Sequence, residues 1–128
     1  MKITLSSVFV KDQAAALKFY TEVLGFEKKI DIPAGDHRWL TLVSPADPDG
    51  AQLVLEPDAH PAARTYQSAL YADGIPATSF EVEDIQGEVA RMTALEVEFR
   101  GTPTDIGDAI LVSFDDTCGN IIQLYESK

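Results

Sequence analysis

The sequence predicts one α+β domain that contains two tandem βαβββ units. Three observations predict this fold class. The 128 residues suit a single domain with a sizeable core. Strand-like and helix-like segments follow one another in the same order in both halves of the chain. Short residue matches also recur between the halves. We therefore divide the chain into a first unit over residues 1–57, a helical connector over 58–75 and a second unit over 76–128.

The first half predicts one strand, one helix and then three more strands. Ala16, Leu17 and Tyr20 recur at helical spacing, while the strand segments are rich in β-branched and apolar residues. Asp12 is a predicted N-cap because its carboxylate can accept from the free amides of a first turn. Gly25 is predicted to end the helix. The predicted segments are strand 3–10, helix 13–24, strands 26–32, 38–44 and 51–56, and loops at Pro33–Asp36 and Pro45–Gly50.

The second half repeats this order after a connecting helix. The segment 60–73 is predicted to be helical and is followed by the breakers Gly74 and Pro76. Asp84 is the predicted N-cap of the next helix. The remaining predicted segments are strand 77–83, helix 85–95, strands 97–101, 108–114 and 121–126, and a turn at 115–120.

Residue matches between the halves indicate an internal duplication. Val8–Asp12 matches Phe80–Asp84 at an offset of 72, and Leu53–Leu55 matches Ile122–Leu124 at an offset of 69. The identity is low, but the order of the matches agrees with the order of the elements. A repeat of this kind determines the fold more strongly than any single motif does.

The net charge of −11, from 10 basic and 21 acidic residues, restricts the partners of this protein. An acidic surface repels phosphate backbones, so we expect no nucleic-acid partner. The same field attracts small cations, although solubility alone is the simpler explanation of the charge. The chain start lacks the apolar core of a signal peptide, and no apolar run is long enough to span a bilayer. We therefore expect a cytoplasmic protein that does not associate with membranes.

Cys118 is the only cysteine, which excludes an intramolecular disulfide and a cysteine-based metal cluster. The neighbouring residues Asp115 and Asp116 oppose formation of a reactive thiolate. His37 and His60 are the only histidines, and we expect both to be solvated loop residues. No nucleophile motif and no glycine-rich phosphate loop is present.

Five segments carry a resemblance to a known family. They are Phe9–Asp12, Ala16–Tyr20, Val23–Phe26, Leu53–Glu56 and Asp116–Leu124. Together with the duplicated βαβββ order, they resemble the vicinal-oxygen-chelate superfamily, which includes glyoxalase I, bleomycin resistance proteins and extradiol dioxygenases. The resemblance implies a pair of half-barrels around a cavity lined by the inward faces of the strands. It also implies a homodimer.

The resemblance also identifies where a metal would bind. Metal-dependent members place one His or Glu on the first and fourth strand of each unit, and these positions correspond to Leu5, Val54, Ala77 and Gln123. The first three side chains have no donor atom, and a neutral amide oxygen is a weak ligand for a hard divalent ion. We therefore expect neither a divalent metal nor another cofactor.

The remaining candidates for a site are polar and aromatic side chains on the strand faces. Glu56 is the only candidate catalytic residue: burial in a cavity would raise its pKa and make it a general base, whereas at a solvated strand end it would be inert. Trp39 can stack on a flat ligand or fill the core. The predicted ligand-binding set is Ser7, Phe9, Trp39, Glu56, Ser79, Glu81, Gln123 and Tyr125.

Three functions agree with these observations. The first is a metal-independent small-molecule-binding protein of the bleomycin-resistance type, which sequesters a cationic or aromatic compound. The alternative is a metal-dependent lyase, isomerase or dioxygenase of the glyoxalase group, with Glu56 as base. The third is a structural or regulatory module whose cavity is closed. The fold class alone does not choose among them.

Overall fold

The first half of the chain forms a four-stranded sheet with one helix on its face. The computed structural model describes all residues from Met1 to Lys128. The sheet has the strand order β1-β4-β3-β2, in which β1 is parallel to β4 and the other neighbours are antiparallel. Its elements are β1 Leu5–Val10, α1 Gln13–Lys18, β2 Glu27–Ala34, β3 His37–Ser44 and β4 Asp47–Pro57.

The second half has the same architecture and follows the helix α2, Pro61–Ala72. Its sheet has the order β5-β8-β7-β6, with β5 parallel to β8. The elements are β5 Thr78–Glu81, α3 Ile85–Ala94, β6 Phe99–Asp105, β7 Ala109–Asp115 and β8 Ile121–Ser127. The predicted α+β class and the two βαβββ units are therefore confirmed. The chain divides into the compact units Met1–Thr65 and Tyr66–Lys128, and the division falls within α2.

Where the fourth strand of each unit pairs with the first and third strands, the register corresponds between the units. Ser7 is level with Val54 in the first unit, and Ser79 is level with Gln123 in the second. These four residues are related by the offsets of 72 and 69 that the sequence shows. The same offsets relate the pairings of the third strand with the fourth. The duplication therefore extends to the hydrogen-bond ladders.

Each unit has its own apolar core between helix and sheet. In the first unit, side chains from α1 and from one face of the sheet are fully buried. The corresponding face of the second sheet packs against α3. Burial of each such aliphatic side chain contributes about 1.5–3 kcal/mol to folding, so these faces fix the strand registers. The core residues include Val10, Ala16, Tyr20, Leu40, Leu42 and Leu55 in the first unit, and Ile85, Met92, Phe114 and Ile122 in the second.

Both predicted N-caps are present. The carboxylate of Asp12 accepts from the Ala15 amide at 3.0 Å, and that of Asp84 accepts from the Gly87 amide at 3.0 Å. Gly25 has a φ of +88°, which is favourable only for glycine, so the predicted end of the first helix is also correct. The helix changes character before that end: Phe19–Val23 is a π-helical turn, in which Leu24 donates to the Phe19 carbonyl.

The predicted loops were too long. β2 continues through Pro33, which a strand at the edge of a sheet can accommodate. β4 begins at Asp47 rather than at residue 51. Ser44 pairs with Asp47 and Val43 pairs with Gln52, so the turn-forming residues 48–51 form a bulge within β4. His37 was predicted in a loop and instead begins β3. The short predicted strand 97–101 is displaced and becomes β6 at 99–105.

The longest helix, α2, has 12 residues. No helix in the chain combines the length and the apolarity that are needed to cross a lipid bilayer.

Asp116 holds the turn that leads into β8. Its Oδ1 accepts from the amides of Cys118 at 2.7 Å and Asn120 at 2.9 Å, and its Oδ2 accepts from the Asn120 side chain at 2.8 Å. The carboxylate is fully buried. Gln67 of α2 donates to the Cys118 carbonyl at 3.3 Å, so the same turn anchors the second part of that helix.

Replacement of Asp116 should therefore destabilise the protein strongly. We expect Asp116→Ala to lower the free energy of unfolding by about 3 kcal/mol or more, because it leaves several buried donors without an acceptor. Chemical unfolding followed by circular dichroism measures this loss. The control is Asp36→Ala, which removes an exposed carboxylate that has no partner and should change stability by less than about 0.5 kcal/mol. Equal stability of the two variants would contradict the assigned role.

Candidate functional site

Two aromatic side chains and a carboxylate lie on the first-unit sheet, on the face that points away from α1. Phe9 is directly level with Glu56 in the β1–β4 ladder. Trp39 lies two residues before Thr41, whose partner Val54 lies two residues before Glu56. Since side chains alternate along a strand, Trp39 points to this same face and comes level with Glu56. We call Phe9, Glu56 and Trp39 the aromatic row.

The aromatic row is partly accessible and its carboxylate is not engaged within the protein. Phe9, Glu56 and Trp39 are all half-buried. The Glu56 side chain makes no hydrogen bond and no ion pair. Ile32, which is level with Trp39 in β2, extends the row and is 54% exposed. This part of the face therefore offers apolar surface around a charged group that has no protein partner.

The next row of the same face has its polar groups satisfied internally. Thr41 is fully buried, and its hydroxyl donates to Oε1 of Gln52 at 2.7 Å. Val54 is buried between the β1 and β3 strands, while Ser7 at the edge is exposed. Only the outer end of this row is available to a ligand.

The ladder between β3 and β4 stops beside the aromatic row. Its last pair in this direction is Thr41 with Val54, although both strands continue. The side-chain amide of Gln13 enters from α1 at this point. Its Nε2 donates to the carbonyls of Arg38 at 2.7 Å and Leu55 at 2.9 Å, and its Oε1 accepts from the Arg38 amide at 3.0 Å. We call the interrupted ladder between residues 38–40 and 55–57 the β3–β4 gap.

An ion pair fixes the hairpin that carries Trp39. Nε of Arg38 donates to Oδ1 of Asp31 at 3.0 Å, and Nη2 donates to Oδ2 at 2.6 Å. This bidentate geometry is the stronger form of a carboxylate–guanidinium pair. The hydrogen bonds from Arg38 hold the pKa of Asp31 below its ordinary value, with a smaller contribution from the positive charges of Arg38 and Lys28.

The equivalent face of the second unit is polar and internally bonded. The Ser79 hydroxyl donates to Oε1 of Gln123 at 3.1 Å, and the Ser127 hydroxyl donates to Oε1 of Glu81 at 3.0 Å. Tyr125 is level with Glu81 and is half-buried. All four second-unit residues predicted from the sequence therefore share one sheet face.

A second cluster on this sheet was not predicted. The Tyr71 hydroxyl of α2 donates to Oδ2 of Asp115, and the guanidinium of Arg100 lies 5.0 Å from the centre of the Tyr71 ring. The hydrogen bond to the Asp115 carboxylate, together with its negative charge, raises the pKa of Tyr71. The cluster attaches the end of α2 to its sheet through a cation–π contact and a charge-assisted hydrogen bond.

Comparison with known proteins identifies the family. The sequence matches the profile of the Glyoxalase/Bleomycin resistance protein/Dioxygenase superfamily over residues 2–124. The chain belongs to this superfamily. The Bacillus subtilis (strain 168) protein YurT is 53% identical over 126 residues, which cover 98% of this chain and 99% of YurT.

Two solved structures of similar length have the same fold. UcmS2 is 26% identical to this chain, with a TM-score of 0.84 over 98% of this chain and 97% of UcmS2. TnmS3, an antibiotic binding protein from Streptomyces sp. CB03234, is also 26% identical, with a TM-score of 0.79 over all of this chain and 97% of TnmS3. The glyoxalase/bleomycin-resistance fold predicted from the sequence is therefore confirmed.

The four positions at which superfamily members hold a metal do not fit a divalent cation in this chain. Leu5 begins β1 and is 47% exposed, Val54 is buried in β4, and Ala77 precedes β5. None of them has a donor atom. Gln123 has an amide oxygen, which accepts from Ser79. Within neither unit do three His, Cys, Asp or Glu side chains come together as a metal site would require.

The sequence-based set falls into two groups, one on each sheet. Ser7, Phe9, Trp39 and Glu56 share the open face of the first unit, where Phe9 is directly level with Glu56. Sequence reasoning missed Gln13. A signal was available, because the duplicate of Gln13 at an offset of 72 is the apolar Ile85. An amide at a position that is apolar in the other copy indicates a specific hydrogen-bonding task.

His60 and Cys118 lie apart from this face, whereas His37, two residues before Trp39 on β3, shares it. His60 is exposed, and its Nδ1 accepts from the Ala62 amide at 3.0 Å at the start of α2. His37 is exposed at the first residue of β3. Cys118 is buried in the turn held by Asp116. His37 is therefore one row away from the aromatic row, at the start of the strand that carries Trp39.

The Asp31–Arg38 pair predicts a pH dependence of stability. Because the pKa of Asp31 is lower in the folded protein, its stabilising contribution is complete above the unfolded pKa of about 4 and is lost as the pH falls through the folded value. We expect Asp31→Asn to be less stable than the wild type at pH 7 and the difference to shrink below about pH 4. Urea unfolding at several pH values measures it, with Asp36→Asn as control. A difference that is constant down to pH 2 would contradict this assignment.

Proposed function

We propose that this protein is a metal-independent small-molecule-binding protein that sequesters a cationic aromatic compound. The aromatic row carries this proposal. Phe9 and Trp39 flank a carboxylate that has no partner in the protein, on a half-buried sheet face. Flat apolar surface beside an unpaired negative charge suits a planar ligand with a positive charge, through stacking and a charge-assisted hydrogen bond.

The overall charge supports a cationic ligand. A net charge of −11 attracts cations over long range and raises their rate of association at low ionic strength. The likeness to TnmS3, which is an antibiotic binding protein, supports a binding function over catalysis. The absence of donor atoms at three of the four superfamily metal positions supports independence from a metal.

A panel of flat probes with different charges tests the proposal. We expect proflavine, which is cationic, to quench the fluorescence of Trp39 and to bind more tightly than neutral acridone and anionic anthraquinone-2-sulfonate. Because Trp39 is the only tryptophan, the signal reports on the aromatic row alone. The affinity for proflavine should fall as salt is raised towards about 1 M, since screening weakens the attraction. No response to any of the three probes would overturn the proposal.

Removal of the Glu56 charge should weaken binding of the cationic probe more than binding of the neutral probe. We expect Glu56→Gln to reduce the affinity for proflavine about tenfold, which corresponds to about 1.4 kcal/mol, and to leave that for acridone nearly unchanged. Isothermal titration calorimetry measures both. The matched control is Glu98→Gln, which removes the same formal charge at an exposed residue of the second unit. A similar loss in both variants would show that only the total charge matters.

Metal analysis separates this proposal from a metal-dependent enzyme of the glyoxalase group. We expect protein purified without chelator to hold far less than one divalent ion per chain, measured by inductively coupled plasma mass spectrometry. The affinity for proflavine should be the same before and after dialysis against EDTA, because no step of binding uses a metal. A stoichiometric zinc, nickel, iron or manganese ion would favour the enzyme instead.

A further inference from the structure

The two copies of the duplicated unit differ where Gln13 enters the sheet. In the second unit, the ladder between β7 and β8 is continuous from Asp115 paired with Ile121 to Ala109 paired with Ser127. In the first unit, the equivalent ladder stops at Thr41, although β3 continues back to residue 37 and β4 continues to residue 57. The residue that corresponds to Gln13 in the second unit is Ile85, which has no side-chain hydrogen-bonding group. The second unit is therefore an internal comparison without the amide.

The amide of Gln13 satisfies backbone groups that would otherwise face the neighbouring strand. It accepts from the Arg38 N–H and donates to the carbonyls of Arg38 and Leu55, at 2.7 to 3.0 Å. The side chain is more than nine-tenths buried, with 8% exposure for the residue. Buried backbone groups require partners, so these three bonds satisfy groups that the strands leave unpaired, including the Arg38 carbonyl, to which Pro57 at the level position has no N–H to donate.

A closed ladder would leave no room for a ring at this position. Side chains that are directly level on neighbouring strands have their Cβ atoms about 4.5–5.5 Å apart. An aromatic ring held between two side chains needs contacts of about 3.5–4.0 Å on each face, hence about 7 Å in total. In the second unit, the equivalents of Trp39 and Glu56 are Leu111 and Tyr125, which are paired directly. Only the first unit keeps its strands unpaired here.

We propose that Gln13 is a positioning residue, which holds the β3–β4 gap open so that the flat part of a ligand enters between Trp39 and Glu56. This inference rests on the proposed function and assigns the ligand a place within the first unit. Gln13 does not contact the ligand. It acts through the backbone of Arg38, next to Trp39, and of Leu55, next to Glu56.

Two substitutions at Gln13 test this inference. Gln13→Met keeps the length of the side chain and removes all three hydrogen bonds. Gln13→Glu keeps the acceptor for the Arg38 amide and loses both donated bonds, and it serves if the methionine variant does not fold. The matched control is Ile85→Ala, which disturbs the same position of the second unit and lowers stability without touching the β3–β4 gap.

Two measurements are made on each variant. The first is proflavine affinity by calorimetry, which we expect to fall about tenfold or more in the Gln13 variants and less than about twofold in Ile85→Ala. The second is acrylamide quenching of Trp39 without ligand. We expect it to decrease in the Gln13 variants, because the strands close and cover the indole, and to stay unchanged in the control.

The outcomes distinguish the inference from the proposed function. Unchanged affinity in folded Gln13 variants overturns the inference, and so does quenching that is unchanged or increased. A loss of affinity that Ile85→Ala shares also overturns it, since stability alone would then explain the effect. If no probe binds the wild type, the proposed function fails, and the quenching data alone decide whether Gln13 holds the gap.

Discussion

The parallel pairing of the first strand with the last strand of each unit determines which side chains face away from the helices. In the first unit, Val8 and Leu55 are buried against α1, so their neighbours Phe9 and Glu56 must point to the other face. A shift of one residue would expose the apolar set and bury the carboxylate, at a cost of several kcal/mol. The aromatic row is thus a consequence of the core rather than an independent feature.

The two units share most of their strand pairing, whereas the chemistry of their open faces differs. Adding 72 to residues of the first and third strands and 69 to those of the fourth converts pairs of the first unit, such as Ser7–Val54 and Thr41–Val54, into pairs of the second unit. At equivalent places, however, Phe9 corresponds to Glu81 and Glu56 to Tyr125. Because side chains on the open face do not determine the register, they were free to diverge. The chemistry of each open face therefore follows from its own residues and not from the shared fold.

Local sequence patterns predicted the helices and strands well. They did not predict contacts between residues that are far apart in the sequence. The caps Asp12 and Asp84 act within three residues, so the sequence alone identified them. The bulge in β4 depends on how Ser44 pairs across a turn, and turn-forming residues alone gave the wrong strand start. Gln13 bonds with residues 25 and 42 positions away, which no helical periodicity reveals. Only comparison with its duplicate, Ile85, carried a signal.

The open faces of the two units differ in whether their polar side chains are hydrogen-bonded within the protein. Gln123 and Glu81 on the second face each accept from a serine hydroxyl, so part of their acceptor capacity is used within the protein. Glu56 makes no hydrogen bond within the protein, so a ligand that covers it displaces only water. A neutral ring placed over it would desolvate a carboxylate without compensation, which is costly. Under the proposed function, a cation placed there restores the lost interaction while Trp39 and Phe9 gain apolar contact, so charge would be the main determinant of ligand choice.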